Sequence, residues 1–135
     1  MIRIQRLLAA TDLSAPARHA AERAALVARE LGAALDLLHV ISVAPVDRLR
    51  RLLAEASADI EAQIAADATT EMQRLADSLQ LQFNVRPTTH VEHGGLLRQI
   101  DARAAASAAN MLVLGARGAS FMRHLLLGST AERMV

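Results

Sequence analysis

The residues with the clearest chemical potential lie near the end of the chain. Gly115-Ala116-Arg117-Gly118 follows the apolar run Met111-Leu112-Val113-Leu114, and after nine further residues comes Gly128-Ser129-Thr130. Three of the six glycines fall in this segment. A backbone without Cβ atoms turns sharply and lets its N–H groups approach an anion closely, and Ser129 and Thr130 at a helix start would add hydroxyls and the positive end of a helix dipole. The pattern therefore reads as a phosphate cradle. Arg117 and Arg123 stand within reach of anionic oxygens, although exposure to solvent is the plainer reading of each arginine.

Composition removes several other chemistries. The chain has no Cys, which excludes disulfides, thiolate metal sites and a Cys nucleophile. It also has no Lys, so neither a Walker A loop nor Schiff-base catalysis is available. The five histidines lack a His-Glu-x-x-His spacing, and no metal site is expected from side chains. His93-Gly94-Gly95 has the form of an esterase oxyanion loop, but without a Gly-x-Ser-x-Gly elbow a turn is the better reading. No general base is evident, so no catalytic residue is assigned.

A net charge of +1 with interspersed signs offers no electrostatic footprint for nucleic acid, and only Phe83 and Phe121 provide stacking faces. The sequence contains neither a transmembrane run nor a signal-peptide core, since charges interrupt Met1-Ile2-Arg3-Ile4-Gln5-Arg6. Together with the missing cysteines, this points to a cytoplasmic protein. At 135 residues and 53% hydrophobic, one domain is expected.

The elements that must position the cradle can be read in order. Arg6-Leu7-Leu8-Ala9-Ala10 is a short apolar strand ending in Thr11-Asp12. Ser14 and Pro16 open a helix whose apolar positions, from Ala17 to Leu31, recur at helical spacing until Gly32. Leu35 to Ile41 is a second strand, in which His39 reads as a satisfied core histidine. Apolar residues from Leu53 to Leu79 line one face of a long helix, with Arg51, Glu55, Asp59, Asp67 and Arg74 on its solvated face. Phe83 to Val91 has strand composition, and Pro87 places it at an edge. Gly94-Gly95 turns into a further helix, and the apolarity of Met111 to Leu114 predicts a central fourth strand.

Repeated β-α units predict a three-layer α/β/α fold with an open, doubly wound parallel sheet. Such sheets bind ligands beyond the carboxyl ends of the strands, where strand order reverses. With strands one and four adjacent, the Ala10-Thr11-Asp12 turn and the Gly115 loop would face one ligand.

Across nearly its whole length the sequence resembles the universal stress protein family. Leu7 to Ser14 looks like the family's first strand and turn, Leu37-Leu38-His39-Val40 like its second strand, and Gly94 like the glycine after its third. Gly115-x2-Gly118-x9-Gly128-Ser129 matches its ATP signature. The resemblance implies a Rossmann-like sheet of the adenine nucleotide α-hydrolase type, with strand order 3-2-1-4. It also implies ATP, with Mg²⁺ carried by the phosphates. Val40 would hold the adenine through its backbone, Asp12 would face the ribose, Gly115 and Gly118 would line the ligand, and Gly128, Ser129 and Thr130 would contact the phosphates.

In the family the chain continues through a full helix to a fifth strand beside the fourth, and this sequence stops at Val135. The expectation is thus one domain over residues 1–135 lacking that strand, with a homodimer in the full-length form. The function implied is stress response or signalling through nucleotide binding and dimerisation. A slow ATP-hydrolysing or phosphoryl-transferring enzyme is the alternative, as is a nucleotide-free interaction module.

Overall fold

The structure is a computed structural model that describes residues 3–42 and 57–115. Four parallel strands form one sheet in the order β3-β2-β1-β4. They are β1 (Arg6–Ala10), β2 (Ala34–Ser42), β3 (Thr88–Gly94) and β4 (Met111–Leu114). The helices are α1 (Ala15–Leu31), α2 (Ser57–Phe83) and α3 (Leu96–Ser107).

Local chemistry sets the limits of α1. Ser14 Oγ accepts from the Ala17 N–H at 3.3 Å, Pro16 sits in the first turn, and Gly32 closes the helix in the left-handed region at φ 63°. Between these stops, Ala17, Ala21, Ala24, Ala25 and Ala28 are buried. Their small side chains bring the helix close to the sheet.

Strand alternation divides the core into two layers. Leu7, Ala9, Leu35 and Leu37 face α1 and α2, where Met72, Leu75, Ala76 and Leu79 close the layer. Leu8, Ala10 and Leu38 face the other way and pack with Ile100 of α3, joined by half-buried Val40, Leu112 and Leu114. Helices thus cover both faces, as a doubly wound sheet requires.

Two details differ from the sequence reading. Phe83 belongs to α2 rather than to a strand; it packs on the α1–α2 layer, with the Arg29 guanidinium 5.9 Å from its ring centroid. The helix ends at Asn84, φ 56°, and Pro87 precedes β3 instead of interrupting it. In the described sheet β4 pairs only with β1, and its four side chains are half-buried, so it lies at the end of the order rather than in its centre. The edge position of β3 agrees with the sequence reading.

Candidate functional site

Chain order reverses at β1: the chain steps outward from β1 to β2 to β3, then returns to place β4 on the opposite side of β1. Ala10 is in register with Leu38 of β2 and Leu114 of β4. The residues following β1 and β4, Thr11 and Gly115, therefore emerge side by side, while β2 runs on past them through Val40. This is the crevice in which such sheets bind ligands.

The turn after β1 is built from its own polar groups. Thr11 is 2% exposed, and its N–H donates to the Leu38 carbonyl at 2.8 Å. Its hydroxyl oxygen accepts from the Leu13 N–H at 3.0 Å, and its carbonyl meets Nδ1 of His39 at 2.9 Å. Leu13 is held at φ 66°, in the left-handed region that a leucine rarely occupies. Exposed Asp12 accepts from the Ser14 N–H through Oδ1 at 2.9 Å. Among the described hydrogen bonds its Oδ2 accepts none, so one carboxylate oxygen is available to hydroxyls of a ligand.

Gly115 is buried against the first turns of α1. A Cβ there would stand 3.5 Å from Ala17 Cα and 3.8 Å from Ala17 Cβ. Beside it a cavity of ≈ 610 Å³ opens between α1 and the end of β4, lined by Ala15, Pro16, Ala20, Leu114 and Gly115, with His19 and Arg23 at its rim. Neither Asp12 nor Val40 lines this cavity. Val40 packs instead with the layer on the α3 side.

Of the sequence-predicted site residues, Ala10, Thr11, Asp12, Val40 and Gly115 gather at this one end of the sheet. Arg117, Gly118, Gly128, Ser129 and Thr130 lie outside the described residues, as does Arg123. His39 is half-buried and bonded to Thr11, as a satisfied histidine should be, but its partner belongs to the crevice. Among the described residues no group of His, Asp and Glu is placed to hold a metal ion, and no helix is long and apolar enough to cross a membrane.

Sequence reasoning missed a second polar cluster, further back in the sheet. Asp36 is buried within β2, with Oδ2 accepting from Arg6 at 2.9 Å and Oδ1 facing His90 Nε2 at 3.1 Å. The only signal was an acid inside an apolar strand. Naming its partners required the register of β1, β2 and β3.

An open parallel sheet with helices on both faces and a crevice at its strand reversal defines a Rossmann-like, doubly wound α/β protein. The model of the universal stress protein family matches residues 3–135, and the chain belongs to that family. A universal stress protein of Methanocaldococcus jannaschii is 25% identical over 131 residues, covering 97% of this chain and 75% of that protein. Among solved structures, universal stress protein UspA from Lactobacillus plantarum is similar at 26% identity and TM-score 0.69, covering 98% of this chain and 90% of its own. A universal stress protein in complex with cAMP shares the fold at 18% identity and TM-score 0.68, over 98% of this chain and 89% of its own.

Proposed function

We propose that this universal stress protein binds an adenine nucleotide, ATP with Mg²⁺ on its phosphates, and acts in the cytoplasm in stress response or signalling. The observation that carries the reading is the pairing of β1 with β4, which puts Thr11 and Asp12 beside Gly115 at the strand reversal. The nucleoside half suits the groups present. Asp12 keeps one carboxylate oxygen for ribose hydroxyls, and the Val40 backbone borders the same end of the sheet. The phosphates are assigned to Gly128, Ser129 and Thr130, with Gly118 lining the ligand, on the strength of their match to the family's signature. A related fold in complex with cAMP supports a purine nucleotide as the ligand class.

The nucleotide acts by occupancy, with turnover slow or absent, and its effect passes to a homodimer. The test is mass spectrometry of ligand released from freshly purified, denatured protein, followed by calorimetry with ATP, ADP and cAMP, with and without Mg²⁺. Co-purified adenine nucleotide, or micromolar ATP binding that strengthens with Mg²⁺, is the expected result. No heat with any of the three would refute the reading, and fast phosphate release would turn it into an enzyme.

A further inference from the structure

The ladder between β1 and β2 stops one rung short at the crevice. Thr11 N–H donates to the Leu38 carbonyl. In a parallel ladder, the bond that follows runs from Val40 N–H back to the Thr11 carbonyl. No such bond is made among the described residues. The Thr11 carbonyl is met instead at 2.9 Å by Nδ1 of His39, the residue just before Val40. A carbonyl oxygen has only lone pairs, so Nδ1 carries the hydrogen and donates it. The side chain of β2 has taken the acceptor that its own backbone would otherwise use. That leaves the Val40 N–H directed toward β1 at the mouth of the crevice, without a ladder partner.

We propose that His39 is a positioning residue for the nucleotide. Its imidazole holds the Thr11 carbonyl away from Val40, which keeps the Val40 N–H free to donate to an acceptor nitrogen on a purine ring. It also fixes the peptide from which Asp12 projects. The remaining polar groups of the turn point to the same rigidity: Thr11 N–H, Thr11 Oγ1 and Asp12 Oδ1 are each occupied within β2 or the turn itself. His39 is the one side chain reaching the turn from a neighbouring strand in these bonds. Without it, the Thr11 carbonyl and the Val40 N–H would satisfy each other, and the base would have to break that bond to enter. The inference rests on reading the crevice as the nucleoside site.

The test compares the full chain with His39→Leu and His39→Asn. Leucine fills the space without a donor, whereas the asparagine side-chain amide places an N–H about where imidazole Nδ1 stands. With AMP as probe, His39→Leu should weaken binding about fivefold to tenfold, the range for one hydrogen bond, and His39→Asn should recover most of it. Amide hydrogen exchange supplies a readout that simple loss of packing would not produce. Val40 N–H should exchange faster in the native protein than in His39→Leu, where the rung closes, and ¹⁵N NMR of the native ring should show the Nδ1–H tautomer.

Equal AMP affinity in all three proteins would overturn the proposal. So would equal losses in both variants with Val40 exchange unaltered. If the native protein binds no nucleotide, the nucleoside reading fails by itself. Val40 exchange and the ring tautomer then still decide whether His39 holds the rung open.

Discussion

Gly115→Ala separates what the fold requires from what a ligand requires. Gly115 lies outside the left-handed region that would demand glycine; among the described glycines only Gly32 and Gly94 have positive φ. The added Cβ would meet Ala17 Cα at 3.5 Å, Ala17 Cβ at 3.8 Å and Ala20 Cβ at 3.9 Å, all ordinary van der Waals contact. Replacing glycine by alanine at a compatible position stabilises by about 0.4–1 kcal/mol through reduced freedom of the unfolded chain. For a domain of this size that raises Tm by about 2–4 °C. A ligand lying against this backbone would tolerate no methyl group. Losing one hydrogen bond there costs about 0.5–1.5 kcal/mol, or up to roughly tenfold in Kd. The assay pairs thermal unfolding with calorimetric titration of ATP. A variant that is at least as stable as the native protein and binds ATP tenfold more weakly is expected. Loss of stability above about 1 kcal/mol would mean that the fold itself demands glycine, and unchanged affinity would mean that the ligand does not approach Gly115.

Other perturbations address separate parts of the molecule. Asp12→Ala should weaken AMP severalfold while leaving inorganic triphosphate unaffected, because its free carboxylate oxygen is assigned to ribose; equal losses for both probes in calorimetry would remove that role. Asp36→Ala deletes a side chain that is 3% exposed between Arg6 and His90, and should destabilise by about 2–3 kcal/mol in urea denaturation. That figure is reduced from the fully buried case because Arg6, 39% exposed, can turn to water. AMP affinity should not change, since Asp36 lies four residues before Val40, about 13 Å along the strand. Asn110→Ala should cost about 1–2 kcal/mol in the same assay, since it removes bonds from Gln5 N–H and Arg6 N–H and one to the Arg3 carbonyl, all at exposed positions. Light scattering should find a dimer, and a monomer at every concentration tested, with and without ATP, would exclude dimerisation from the proposed function.

What could be read from the sequence follows how far each determinant acts along the chain. Ser14, Pro16 and Gly32 act within a few residues, and the bounds of α1 were legible from them. The doubly wound parallel class followed from the repeated β-α units, whereas the order 3-2-1-4 came from the family resemblance, since crossover handedness alone does not say on which side of β1 the fourth strand joins. The start of β3 was misread because Phe83 has strand propensity, yet it continues the buried stripe of Met72, Leu75 and Leu79, and tertiary burial outweighs propensity. Asp36, Asn110 and His39 were not legible as a set. Each finds partners 28 to 107 residues away through the register of three strands.

The same distinction applies within the candidate site. Glycine spacing is a local signature, so the cradle announces itself in the sequence. The His39–Thr11 bond spans 28 residues and depends on Ala10 pairing with Leu38 rather than with a neighbour. A shift of one residue would turn His39 to the opposite face of the sheet, away from the Thr11 carbonyl. The polar character of the crevice is therefore a product of register, and the buried Leu7, Leu8, Leu37 and Leu38, each 0% exposed, are what hold that register. Substitutions in this leucine set should then loosen the site before they unfold the protein, and Val40 exchange would report the change directly.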